Sequence, residues 1–256
     1  MQIVSLYDTQ GDIAHLAQEL ATILGITPYE ARSRVNIPGG GPAIVASFAN
    51  HGPATSCVDA LHGVGFKTIC VDSTALENDQ NRFIVQRLSF SPEGLQLWDQ
   101  GGELLKVNYA DIVLLLRGAG IIHSVKSETT TKKKFAVGRA LATGGLVMRK
   151  KVTSTTTSVN SERQPFCHIY LPHLPAIVLR QDMLDYTALG SECKLSREAN
   201  FSWICTELRR LCRSARWDER LQTRPGLAQL LGPVFNPETD LDLAITILVK
   251  SILSTG

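Results

Sequence analysis

A chain of 256 residues with 44% hydrophobic content can fill a substantial core, so a globular protein of one large or two ordinary domains is expected. Lys and Arg (26) nearly balance Asp and Glu (24), which excludes recruitment of a polyanionic partner by net charge alone. No apolar run approaches the ~18–20 residues that span a bilayer, since Asp242 and Lys250 bound even LAITILV, and the start MQIVSLYDTQ lacks the pattern of a secretory signal. A cytoplasmic protein without a transmembrane segment is the expectation. The cysteines at 57, 70, 167, 193, 205 and 212 follow no C-x-x-C or framework spacing, as suits reduced, mostly buried thiols.

The first 76 residues read as β-α-α-β-α-β. Ile3, Val4 and Leu6 open a strand, and Ile13, Leu16, Ala17, Leu20, Ile23 and Leu24 follow helical spacing up to a stop at Gly25. Thr27-Pro28-Tyr29-Glu30 then carries a capping box with proline at the first helical position. Ala43 to Phe48 is continuously apolar, as in a strand covered on both faces. A third helix over Ala54, Cys57, Val58 and Leu61 closes at Gly63 and Gly65, before a strand at Thr68 to Val71.

This element order, with Glu30-Ala31-Arg32, Val35 and Leu61 ahead of Gly65, resembles the carboxyl-terminal domain of the ribosomal large-subunit stalk protein. The resemblance covers the first quarter of the chain and implies that domain's fold. The family's factor-binding surface is lysine-rich, whereas Asp12, His15, Gln18 and Glu19 form the polar face here, so factor binding is not carried over.

The polar stretch STALENDQN, Ser73 to Asn81, marks the expected boundary between a domain at 1–76 and a second at 82–256. Strand-like runs follow at about 83–90, 94–98, 103–107, 111–117 and 120–127, with Asp99-Gln100-Gly101-Gly102 as a hairpin connection. Two more come at Phe166 to Leu171 and Ala176 to Arg180. A helix then carries Phe201, Ile204, Cys205, Leu208, Leu211, Cys212 and Ala215 at helical spacing, with Trp203 within it and Trp217 beyond. Seven strands closed by such a helix resemble a bacterial pleckstrin-homology-like barrel. The fold class expected is therefore α+β: the small β-α-α-β-α-β domain, then an antiparallel barrel with C-terminal helices. Asn236-Pro237-Glu238 reads as the cap of a last helix, whose stripe of Leu241, Ala244, Ile245, Leu248 and Ile252 either packs on the barrel or faces another chain.

The barrel is interrupted by a basic insertion at 126–158. Residues 126–151 hold eight basic residues against Glu128, a local charge of +7, which leaves −5 for the rest of a chain whose total is +2. Threonine tracts lie outside a basic cluster on each side of an apolar centre. The candidate contact residues are Lys132, Lys133, Lys134, Phe135, Val137, Arg139, Leu141, Leu146, Val147, Met148, Arg149, Lys150 and Lys151. The β-branched arms favour an extended hairpin; a short helix broken at Gly144-Gly145 is the other form. Apolar residues bordered by cations suit a protein partner or self-association, then an anionic membrane surface. Nucleic acid ranks below these, because Phe135 is the only aromatic residue there for base stacking. The plainer alternative is a solvated loop whose lysines guard exposed strand edges.

Other constellations carry less. Gly39-Gly40-Gly41 runs from helix to strand, opposite to a phosphate-cradling loop, and lacks the following Lys and Ser/Thr. Cys167-His168 with His173 and Cys193 matches no zinc spacing, and Cys167 and His168 would point to opposite strand faces, the imidazole at the surface. Asp240 and Asp242 are explained by a helix dipole. No nucleophile or metallohydrolase signature is present. The reading is a non-enzymatic interaction, regulatory or scaffold protein, with no cofactor or metal, contacting partners through 126–158 or the last helix. A ribosome- or RNA-associated protein is the alternative. An enzyme with an inter-domain cleft near Asp72 or Arg117 comes third.

Overall fold

The structure, a computed structural model, describes the backbone of residues 1–9, 11–36, 41–135, 149–232 and 234–255, and their side chains apart from 122–161 and 224. The local signals of the first segment act as the sequence reads them. After strand β1 (Gln2–Asp8), Asp12 Oδ1 accepts the Ala14 N–H at 3.1 Å to start helix α1 (Ile13–Leu24), and Gly25 ends it in the left-handed conformation at φ 63°. The capping box of α2 (Pro28–Val35) is reciprocal: Thr27 Oγ1 accepts the Glu30 N–H at 3.2 Å and Glu30 Oε2 accepts the Thr27 N–H at 3.0 Å. Strand β2 (Ala43–Phe48), helix α3 (His51–Gly63) and strand β3 (Lys67–Asp72) complete a three-stranded antiparallel sheet of order β2-β1-β3.

The remaining strands are β4 (Phe83–Phe90), β5 (Leu95–Asp99), β6 (Leu104–Val107), β7 (Leu114–Phe135), β8 (Arg149–Tyr170), β9 (Ile177–Arg180) and β10 (Arg216–Leu221). Helix α4 (Arg197–Leu211) precedes β10; α5 (Arg224–Leu231) and α6 (Leu241–Ser254) follow it. The Asp99–Gly102 turn joins β5 to β6 with Gly102 at φ 82°. The chain is thus α+β, with one antiparallel and one mixed sheet.

Three expectations are corrected. The barrel is not found: among the described residues the seven strands form an open sheet of order β10-β7-β8-β9-β4-β5-β6. After α4 the chain returns as β10 parallel to β7, and β9 lies parallel to β4, so β6 and β10 are left as separate edges. The runs at 111–117 and 120–127 are not two strands, because β7 continues from Leu114 to Phe135. The last helix starts after Asp240, whose side chain makes no capping hydrogen bond, instead of being capped at Asn236-Pro237-Glu238. Asn236 Oδ1 instead accepts the Glu238 N–H at 2.9 Å, closing a turn ahead of the helix.

Residues 1–120 together with 164–256 make one compact unit, and 121–163 make a second. In the first unit, side-chain alternation along β7 and β8 sorts residues between two cores. Leu115, Cys167 and Ile169 join Phe201, Ile204, Cys205 and Leu208 of α4. Leu114, Leu116, Phe166 and Tyr170 join α6 and the sheet residues Ile3, Ile69 and Val71. A third core sets Val4 and Leu6 against Leu16, Leu20, Ala54 and Leu61 of α1 and α3. Helix α6 is buried nearly all round, from Leu243 to Ile252, so its apolar stripe packs inside its own chain.

Candidate functional site

The basic segment is carried by the two longest strands. Lys132, Lys133, Lys134 and Phe135 end β7, and Arg149, Lys150 and Lys151 begin β8. These strands are neighbours in the sheet, with the Val113 N–H donating to the Tyr170 carbonyl at 3.0 Å where β7 starts and β8 ends, so they pair as an antiparallel hairpin. Val137, Arg139, Leu141, Leu146, Val147 and Met148, and the Gly144-Gly145 break, lie outside the described residues, as do Gly39 and Gly40.

A second group of side chains was not anticipated. Arg82 precedes β4 on the sheet face that α6 covers, and its side chain is 2% exposed. Its Nη1 lies 2.7 Å from Asp242 Oδ1, in the first turn of α6, and 3.4 Å from Asp79 Oδ1. Asp79 Oδ1 also accepts from Arg180 Nη2 at 2.6 Å, and this contact, against the opposing effect of burial, holds the Asp79 carboxyl below the usual range. The Nε and Nη2 of Arg82 are buried and have no hydrogen-bond partner among the described residues.

His168 and Tyr170, two residues apart on β8, share this face. His168 Nδ1 is 3.2 Å from Tyr170 Oη, and its ring is 4.8 Å from that of Phe166. Burial, reinforced by the Arg82 and Arg180 guanidiniums, pushes the His168 imidazole well below its ordinary range, so the ring is neutral at neutral pH. Burial likewise raises the Tyr170 phenol, with Glu77 adding to the effect. The expectation of a surface imidazole is corrected here: His168 is 2% exposed, because both faces of the sheet are covered.

Cys167 does take the face opposite His168, against Cys205, and contact with that thiol together with burial raises the Cys167 thiol well above its ordinary value. His173 and Cys193 are exposed and join neither. No group of three or more metal-ligating side chains converges among the described residues. Asp72 and Arg117 are separately engaged: Asp72 accepts from Gln2 Nε2 at 2.7 Å and Thr74 Oγ1 at 2.8 Å, and Arg117 faces Glu219 at 3.7 Å.

Recesses of about 570 and 630 Å³ flank β2, with Glu30 and Arg34 as the ionisable groups of one and Arg34 and Cys57 of the other. A smaller one, about 360 Å³, lies at Asp79 and Arg180 beside the arginine network. Sequence spacing offers no signal for that network beyond Asp79 standing three residues before Arg82, because its other members come from β8, β9 and α6. No helix among the described residues is long and apolar enough to cross a membrane. In comparisons with protein families, curated proteins and solved structures, the chain matches none.

Proposed function

We propose that this is a non-enzymatic interaction or regulatory protein, acting in the cytoplasm, that contacts a protein partner or a second copy of itself through the β7–β8 hairpin. The observation that supports this reading is that residues 121–163 form a compact unit of their own, on paired strands whose ends carry Lys132–Lys134 and Arg149–Lys151. The cations border the contact, and the apolar residues from Phe135 to Met148 make it. The last helix drops out as a contact surface, since its apolar face is occupied within the chain.

The test removes residues 129–157, joins the strands by a short turn, and compares oligomeric mass by light scattering and partner capture with the full chain. Loss of assembly or capture, with an unchanged far-UV spectrum, is the expected result. Equal mass and equal capture refute the reading. Flotation with anionic vesicles that depends on the hairpin moves the contact from protein to membrane. The local charge of +7 and the stalk-like element order of the first quarter support a ribosome- or RNA-associated alternative. It requires RNA binding that weakens steeply with added salt.

A further inference from the structure

Among the described residues, β2, β3, β6 and β10 each end a sheet and so have one side without a neighbouring strand. Natural edges are commonly guarded against added strands by charged residues or proline. Strand β3 carries Lys67 and Asp72, β6 carries Lys106, and β10 carries Arg216, Asp218, Glu219 and Arg220. The sequence of β2, AIVASF, has neither a charge nor a proline. Its backbone groups bond to no backbone outside the sheet among the described residues. A free row of backbone donors and acceptors at strand spacing matches another extended chain.

A bulge marks the middle of that edge. Ala46 pairs with Val4 and Ile44 with Ser5, so Val45 is the extra residue, and its carbonyl accepts from Arg34 Nη1 at 2.5 Å. Arg34, Val45, Ala46 and Ser47 line both of the recesses that flank β2, so the two adjoin along this stretch. Their walls are apolar on both sides of the sheet. Ile23, Leu24 and Pro53 stand on the side of α1 and α3, and Leu231, Val234 and Phe235 on the other, where Val234 is left 74% exposed. Side chains of an added strand alternate between these two sides, as Ile44 and Val45 do, so apolar residues suit both. Charge fixes the remaining position. The Glu30 carboxylate in the same wall is committed to the cap of α2, accepting from the Thr27 N–H and Oγ1. No carboxylate lies within ion-pair distance of Arg34 among the described residues, and a guanidinium with one N–H on a carbonyl keeps further donors for an acid.

We propose that the β2 edge is a docking site for an extended peptide segment, apolar on both faces with one acidic side chain at its middle. The segment adds as a fourth strand to the β2-β1-β3 sheet and pairs its carboxylate with Arg34. The site uses none of the hairpin residues, so its test can fail while the hairpin reading stands, and the reverse.

The experiment measures fluorescence polarisation of labelled acetyl-TVIEVIT-amide with the full chain, against TVIKVIT and against TVPEVPT, whose prolines remove two backbone donors. The glutamate peptide is expected to bind saturably, the lysine peptide at least ~10-fold more weakly, a difference of about 1.4 kcal/mol, and the proline peptide not at all. Binding is expected to shift the ¹⁵N amide resonances of Ala43–Phe48 and to leave those of β6 and β10 in place. Arg34→Glu is expected to reverse the preference between glutamate and lysine peptides, which loss of a merely structural contact would not do. Val234→Trp and Ser56→Trp each narrow one recess from an exposed position and are expected to weaken binding at least ~5-fold with an unchanged far-UV spectrum. No binding of the glutamate peptide, equal binding of all three, or shifts confined to β6 or β10 overturns the proposal. So does a doubled mass by light scattering in which the Ala43–Phe48 amides are protected from hydrogen exchange without peptide, since a second copy then covers the edge.

Discussion

His168 lies between the rings of Phe166 and Tyr170 and faces Arg82, Arg180 and Asp79. Its folded-state pKa is depressed, so below the unfolded value of about 6.5 the unfolded chain takes up a proton that the folded chain refuses. Stability is therefore fully present above about pH 6.5 and falls below it, at up to roughly 1.4 kcal/mol per pH unit, until the folded pKa is reached. Urea midpoints at pH 7.5 and 5.5 are expected to show this loss in the wild type and a flatter dependence in His168→Gln. The carboxylate held low by Arg180, Asp79, adds its own loss only at lower pH, below its unfolded value of about 3.9. If His168→Gln is as acid-sensitive as the wild type, the buried imidazole is not the cause. At this scale the sequence spoke only to orientation. Alternation set Cys167 and His168 on opposite faces, but burial of the imidazole depends on α6 lying over that face, and no local pattern encodes a helix arriving from residue 241.

Elements were legible where the signal is short-range. The Thr27 box, the Gly25 stop and the Asp99–Gly102 turn each act within four residues, and each sits where the sequence puts it. The strand β10 carries Trp217 and four charged residues, without alternating apolar positions, because it is an edge strand whose pairing with β7 comes from α4 delivering it there. Strand bounds were legible only in part: the threonine-rich arms read as paired strands of a hairpin, but charge set 126–158 apart as an insertion, whereas β7 runs unbroken from Leu114 to Phe135 and β8 from Arg149 to Tyr170. Gly118 shows the same dependence on context. A Cβ there would run into the ring of Phe166, which is 4% exposed and fills the space above the glycine. Gly118→Ala is expected to destabilise the fold by about 1–3 kcal/mol through overpacking. Gly118→Ala combined with Phe166→Leu should recover part of that, as read by urea unfolding; failure of the double variant to recover any would place the cause in the backbone.

In the whole molecule, the sequence boundary at 73–81 separates the two sheets along the chain, yet a single core joins them. Ile3, Ile69 and Val71 face away from α1 and α3 into the core that holds α6, Leu114, Leu116 and Phe166. Exposing a buried side chain of this size costs about 1.5–3 kcal/mol, so a fragment ending at residue 76 forgoes roughly 5–9 kcal/mol from these three residues. That is comparable to the whole stability of an ordinary domain, about 5–15 kcal/mol. Residues 1–76 expressed alone are therefore expected to bind a hydrophobic dye and to melt without a sharp transition. The full chain is expected to lose the signals of Trp203 and Trp217 and the far-UV signal of α1–α3 together on heating. A fragment that melts cooperatively at the temperature of the full chain would mean that the α1–α3 core of Val4, Leu6, Leu16 and Leu20 suffices by itself, and that the contacts with α6 add attachment without adding stability.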